Sequence, residues 1–226
     1  MSIVDNLNGL KAELPDHVEL IAVSKTHQAE RMMEAYNTGH RYFGENKVQE
    51  MVAKSETMPS DIRWHLIGHL QRNKVKYIAP FVHLIHGADS LKLLREINKR
   101  AKQNERVIDC LIQVFIAKEE TKFGMDEEEV RTLISSPELQ ELEHIRVVGL
   151  MGMATNTDNT DQIKSEFNGL KELFEDIKAS DTPKHVEMNH LSMGMSSDYK
   201  LAIECGSNMV RVGSAIFGVK NFPTNG

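Results

Sequence analysis

Eight short apolar runs recur along this chain, each followed by polar or amphipathic sequence, and that alternation restricts the fold more than any other feature. The runs occupy residues 18–24, 40–43, 63–67, 82–86, 107–115, 145–151, 185–191 and 209–212. Helical periodicity fills 29–38, 46–57, 91–103, 127–134, 161–178 and 198–204, with a shorter segment at 73–77. A further helix over 2–14 precedes the first run and stops near Pro15. Strands that alternate with helices pair in parallel through right-handed crossovers. Eight such units predict an α/β chain closed into a (β/α)8 TIM-type barrel, one domain over 1–226 with an extra N-terminal helix. The rival is an open doubly wound sheet. It would carry a glycine-rich turn after the first strand, where this chain has Lys25-Thr26-His27-Gln28.

Composition removes several function classes. Hydrophobic residues make up 40% and charged residues 27%, with no run long enough to span a membrane, so no membrane partner is expected. The formal charge of -6 argues against sequence-independent nucleic-acid binding, which needs a basic face. Only two cysteines occur, so Cys110 and Cys205 read as quiet thiols rather than a disulfide framework or zinc site. The opening residues lack the basic and apolar regions of a secretory signal, and a cytoplasmic protein is expected.

In a barrel the chemistry gathers where the strands end, often with a phosphate site after the seventh and eighth strands. Lys25 ends the first apolar run. A strand-ending lysine is more often a solvated loop residue, but one ringed by apolar groups loses hydration and becomes a nucleophilic amine. Leu191-Ser192-Met193-Gly194-Met195-Ser196 and Val210-Arg211-Val212-Gly213-Ser214 fall at the expected phosphate end. Gly194 permits close backbone approach to an anion, and Gly213 and Ser214 offer amides and a hydroxyl. The plainer reading is a turn in which Ser196 or Ser197 caps a helix starting near Asp198. A lysine and a distant phosphate cradle together suit pyridoxal 5′-phosphate. Arg211 would stand beside the ring nitrogen of that cofactor, or form an ion pair inside the barrel. Glu45 and Asn46 read first as helix-capping residues, with Asn46 also a candidate partner for the ring hydroxyl. His65 and His69 lie four apart on strand and turn rather than helix, and His83, His86, His185 and His190 form no ligand constellation, so no metal is expected. Met151, Met153, Met188, Met193 and Met195 are expected to line the barrel interior.

These stretches, with Ala22-Val23-Ser24-Lys25, Phe43-Gly44-Glu45-Asn46, Gln49-Glu50, Trp64-His65-Leu66-Ile67-Gly68, Leu70-Gln71, Asn73-Lys74 and Gly149-Leu150-Met151, resemble the pyridoxal phosphate homeostasis protein family. Its members are single-domain relatives of the alanine racemase N-terminal barrel, and the resemblance covers nearly the whole chain. It implies a Schiff-base lysine at Lys25, phosphate contacts from Ser192, Gly213 and Ser214, Arg211 at the ring and Asn46 beside it. Lys122 matches another family lysine whose role stays open. Position 69 is His where many relatives carry proline, and position 214 is Ser where threonine is frequent. The sequence ends at Gly226, soon after the eighth strand, so no second domain is expected to supply the tyrosine that alanine racemases use. Two-base racemisation needs a group on each face of the α-carbon, and only Lys25 is identifiable. The resemblance therefore implies a monomeric binding protein with no catalytic residues, which buffers pyridoxal phosphate or delivers it to apo-enzymes. A slow amino-acid racemase and a barrel enzyme acting on a phosphorylated substrate are the alternatives.

Overall fold

The computed structural model describes residues 2–118 and 123–218; Lys122 lies outside them. Eight parallel strands close into a barrel in sequence order. They are β1 (Glu19–Val23), β2 (Tyr42–Glu45), β3 (Arg63–Leu66), β4 (Leu84–Ala88), β5 (Ile108–Val114), β6 (Ile145–Gly152), β7 (Val186–Ser192) and β8 (Met209–Val212). Closure is made by β1 against β8, with Leu20 opposite Val210 and Ile21 opposite Arg211. The helices are α1 (Ile3–Glu13), α2 (Ala29–Tyr36), α3 (Val48–Ser55), α4 (Val75–Ile78), α5 (Leu91–Gln103), α6 (Glu127–Ser135), α7 (Pro137–Gln140), α8 (Thr160–Ala179), α9 (Tyr199–Glu204) and α10 (Ser214–Phe217).

The strands read as nearly continuous apolar runs because both of their faces are buried. In β1, Leu20 and Ala22 join the large outer core between sheet and helices, while Ile21 turns inward. Inside the barrel Ile21 meets Leu84, Leu111, Val148, Met151 and Met209. Of the methionines expected there, Met151 alone takes part; Met188 and Met193 pack in the outer core, and Met153 and Met195 are exposed. Cys110 is buried in β5, and burial pushes its thiol upward, as expected of an inert side chain.

The extra N-terminal helix has a structural role. A Ser2–Asp5 capping box starts α1, and Ile3, Leu7 and Leu10 form its buried stripe. Asn6 Nδ2 donates to the Ile216 carbonyl at 3.0 Å, so α1 packs over the single turn α10. An outer helix that α10 is too short to provide is thus supplied by the opposite end of the chain. Gly149 sits at φ +152°, where the β6–β7 register shifts, and a Cβ there would lie 1.8 Å from the His190 carbonyl oxygen. Only glycine fits that approach.

Candidate functional site

A cavity of about 670 Å³ opens at the C-terminal ends of the strands. Lys25 follows β1, Asn46 follows β2, Gly68 and His69 follow β3, Gln113 belongs to β5, and Met153 follows β6. Ser196 and Ser197 come from the β7–α9 loop, Arg211 from β8, and Gly213 and Ser214 from the turn into α10. Among the described residues, two cations, Lys25 and Arg211, and no carboxylate line the space. Five of the seven residues expected from sequence therefore converge: Lys25, Asn46, Arg211, Gly213 and Ser214.

The other two expected residues have different positions. Ser192 is fully buried at the end of β7, and its hydroxyl accepts from Arg211 Nη1 at 2.6 Å. It lies beneath the arginine rather than in the cavity lining. Gly194 adopts φ +97°, and a Cβ there would lie 2.6 Å from the Ala202 Cβ and 2.9 Å from the Tyr199 Cα. Its carbonyl accepts from the Arg211 amide at 3.0 Å. Gly194 thus brings the loop close to α9 and β8 without lining the cavity. The hydroxyls that this loop does present are those of Ser196 and Ser197. Ser196 does not cap α9: its Oγ accepts from the Gly213 amide at 3.1 Å and ties the two loops together. The loop's own turn is closed by Asp198, whose Oδ1 accepts from the Met195 amide at 2.6 Å.

Arg211 is 3% exposed, yet it has no ion-pair partner among the described residues. The expected internal ion pair is replaced by neutral acceptors. Nη1 donates to the Ser192 carbonyl at 2.8 Å and to its hydroxyl, and Nη2 donates to the Gly152 carbonyl at 3.0 Å. Burial lowers its pKa to about 10, which leaves the guanidinium charged at neutral pH.

Lys25 is exposed at the cavity rather than desolvated by apolar groups at the barrel mouth as expected. Its backbone is held from both sides instead. Lys54 Nζ, from α3, donates to the Ser24 carbonyl at 2.9 Å, Glu45 Oε1 at 2.7 Å and Glu50 Oε1 at 2.7 Å. Glu45 Oε1 also accepts from the Ser24 hydroxyl at 2.6 Å, and Glu50 Oε1 from the Thr26 amide. Thr26 has φ +66°, an uncommon conformation for a β-branched residue, and the Glu50 carboxylate holds the amide in that turn. One ammonium group thereby links the residues before and after Lys25. Sequence reasoning placed Glu45 and Asn46 in a helix cap; in the structure α3 starts only at Val48, and Glu45 ends β2 with its side chain fully buried. Burial raises the Glu45 carboxyl above the usual range, against the opposing pull of Lys54.

At the rim, His69 packs its ring against Phe123, with centroids 5.7 Å apart, and Nδ1 lies 3.2 Å from Asp89 Oδ2. Phe123, Met153 and Met195 are exposed around the mouth. These contacts join segments distant in sequence, and no local pattern announces them.

A family model for the alanine racemase N-terminal domain matches residues 1–221. The pyridoxal phosphate homeostasis protein of Aquifex aeolicus is 40% identical over 205 residues, covering 90% of this chain and 88% of that protein. The Haemophilus influenzae protein of the same name is 36% identical over 238 residues, covering 100% and 99%. PipY of Synechococcus elongatus superposes in its form without PLP with a TM-score of 0.90 at 34% identity, covering 96% of this chain and all of that one. Its form with PLP bound gives 0.86 at 33%, over the same shares of the two chains. Alanine racemase of Clostridium difficile shares the fold at a TM-score of 0.76 and 17% identity, and this chain spans 57% of it. By sequence over its whole length, this chain belongs to the pyridoxal phosphate homeostasis protein family, built on the alanine racemase N-terminal domain.

Proposed function

We propose that this protein binds pyridoxal 5′-phosphate through a Schiff base on Lys25 and serves cofactor homeostasis as a buffer or donor, without catalysing a reaction of its own. The observation that carries this reading is the donor set of the cavity. An exposed amine at one wall faces a buried guanidinium and a cluster of serine hydroxyls and backbone amides, with no carboxylate among the described lining residues. That set suits an anionic ligand bearing an aldehyde. The cofactor supplies a carbonyl that condenses with an amine, releasing water, and a phosphate for the donors to hold.

The chain's own residues have separate tasks in this reading. Lys25 provides the amine, and the Lys54 hub fixes the backbone on either side of it. Ser196, Ser197, Gly213 and Ser214 form the phosphate cradle. Arg211 would present a fixed positive charge to the ring nitrogen of the bound cofactor and so oppose its protonation, which would weaken the ring as an electron sink. His69 is the only other amine, imidazole, carboxyl, thiol or phenol in the described lining, and it is half exposed and paired with Asp89. The described residues therefore provide no second base poised across the substrate, which favours holding over racemisation. An open mouth suits exchange of cofactor with apo-enzymes.

The purified protein mixed with pyridoxal phosphate is expected to show a visible Schiff-base band that borohydride fixes onto Lys25, located by peptide mass mapping. Lys25→Ala is expected to lose the band. A band retained in that variant, label spread over surface lysines, or Lys25-dependent exchange of an amino acid's α-hydrogen with solvent deuterium would overturn the corresponding part of the reading.

A further inference from the structure

The barrel interior is divided between apolar side chains and a string of polar ones. From Arg211 the string runs to Ser192, from Ser192 Oγ to His86 Nδ1 at 3.1 Å, and from His86 Nε2 to His65 Nδ1 at 2.9 Å. These four residues come from β8, β7, β4 and β3, and each is at most 3% exposed. We propose that Ser192, His86 and His65 form a hydrogen-bond relay of fixed direction that positions Arg211, with both imidazole protons on Nε2. As far as it concerns the cofactor, this rests on the function proposed above.

The direction follows from which groups can donate. A guanidinium has donors only, so Ser192 Oγ must accept from Arg211. The serine's own proton then has one acceptor in reach among the described residues, His86 Nδ1. His86 consequently carries its proton on Nε2 and donates it to His65 Nδ1, which leaves the His65 proton on Nε2. That last nitrogen is buried without a partner among the described residues. Reversing the string would leave the serine proton without an acceptor and the same His65 nitrogen a bare lone pair, so two groups rather than one would go unmatched. Burial, the neighbouring histidines and, for His86, Arg211 keep both rings well below their usual titration range. Neither ring becomes a cation that could turn the relay round.

The consequence reaches the cavity through Arg211. Both Nη1 protons and one on Nη2 are consumed by Ser192 and Gly152, which fixes the guanidinium plane. The Nε proton and the second Nη2 proton have no protein acceptor among the described residues, and Arg211 lines the cavity. The relay therefore selects which donors the arginine offers there. His86 acts as a positioning residue, two hydrogen bonds removed from any ligand.

Two-bond proton–nitrogen correlation spectra of the full chain, labelled with nitrogen-15 histidine and without cofactor, test the direction directly. His65 and His86 are both expected as neutral Nε2–H tautomers, and an Nδ1–H or imidazolium pattern at either overturns the relay. Three variants with pyridoxal phosphate as ligand test the positioning. His86→Leu removes the acceptor for Ser192 and is expected to weaken binding about tenfold or more and to shift the visible band. His86→Asn, whose side-chain oxygen can take the Nδ1 position, is expected to restore both, and Ser192→Ala to reproduce the leucine phenotype. Wild-type affinity and band in His86→Leu would overturn the positioning role. Should the wild-type chain itself form no Lys25 linkage, the cofactor reading fails while the tautomer spectra still decide the relay.

Discussion

Replacing Lys54 with methionine removes the ammonium group that links the neighbours of Lys25 and leaves hydrophobic bulk in its place. In the native chain that group is 9% exposed and makes three short hydrogen bonds, two of them to carboxylates. Glu50 is 24% exposed on its side chain and can turn toward water; Glu45 is 0% exposed and cannot. Among the described residues Glu45 Oε2 already has no partner, so without Lys54 the carboxylate keeps one neutral donor, the Ser24 hydroxyl. Breaking a buried ion pair from one side costs about 3–5 kcal/mol, because the remaining charge is buried without compensation. Lys54→Met is expected to lose stability in that range at pH 8 in urea unfolding.

The loss has a defined pH dependence. Burial already raises the Glu45 carboxyl in the native chain, and removing its cation raises it further. Between its unfolded and folded values the native state carries a proton that the unfolded state lacks, so stability falls as pH rises through that window. The deficit of Lys54→Met is therefore expected to grow as pH rises from the folded value of the native Glu45 towards the higher one of the variant, by as much as about 1.4 kcal/mol per pH unit. Adding Glu45→Gln removes the buried charge and should restore most of the loss and flatten the pH profile. A deficit below about 1 kcal/mol, or one that is constant from pH 5 to pH 8, would refute the claim that Lys54 neutralises a buried carboxylate. Because Thr26 and Ser24 lose their shared anchor, the folded variant should also form the proposed Lys25 linkage less completely than the wild type at the same cofactor concentration.

Three further substitutions separate structural from functional contacts. Gly149→Ala forces a Cβ into the His190 carbonyl at a backbone angle disfavoured for other residues, and is expected to cost about 3 kcal/mol or more, read as a lowered urea midpoint. Arg146→Ala removes a bidentate pair with Asp109 whose partners are 48% and 23% exposed, and should change stability by less than about 1 kcal/mol, with the remaining effect reduced by salt. Ser196→Ala deletes the acceptor of the Gly213 amide between the two loops, and is expected to weaken pyridoxal phosphate binding about tenfold, measured by fluorescence or absorbance titration, with little change in the urea midpoint.

The strands were legible in the sequence because helices cover the barrel outside and side chains fill it inside, so burial on two faces writes each strand as an apolar run. Met209–Val212 matches its expected bounds, whereas β2 and β4 begin two residues later than their runs. The shift in β2 has a chemical cause. Its last position is Glu45, a residue no propensity assigns to a buried strand end, and the lysine that makes it tolerable lies nine positions away on the following helix. α7 and α10, of four residues each, are too short to carry a helical period. The cavity residues at strand ends could be read because the barrel fixes where such ends meet. Ser192, expected at the phosphate, is buried beneath the cavity lining, because one residue along a strand end separates a side chain facing the cavity from one beneath it.

The polar string inside the barrel did leave a mark in the sequence, though a different one from a ligand motif. His86 interrupts the buried run Leu84-Ile85-Gly87-Ala88, and Arg211 interrupts Met209-Val210-Val212. An isolated polar residue in a strand buried on both faces must either find a partner across the barrel or go unsatisfied. Two such interruptions in strands that are far apart in sequence therefore imply an internal connection, and closure of the barrel makes Ser192 the link between them. The same reasoning explains why the arginine needs no carboxylate. A buried acid would cancel the charge that the cavity presents, whereas a hydroxyl and two carbonyls hold the guanidinium in place and leave its charge intact. The clamp around Lys25 is built on the opposite plan, with a charge cluster neutralised behind the strand, and the amine in front of it makes no salt bridge among the described residues at the cavity. Neutral acceptors thus stand behind the buried cation, and an ionic cluster stands behind the exposed amine.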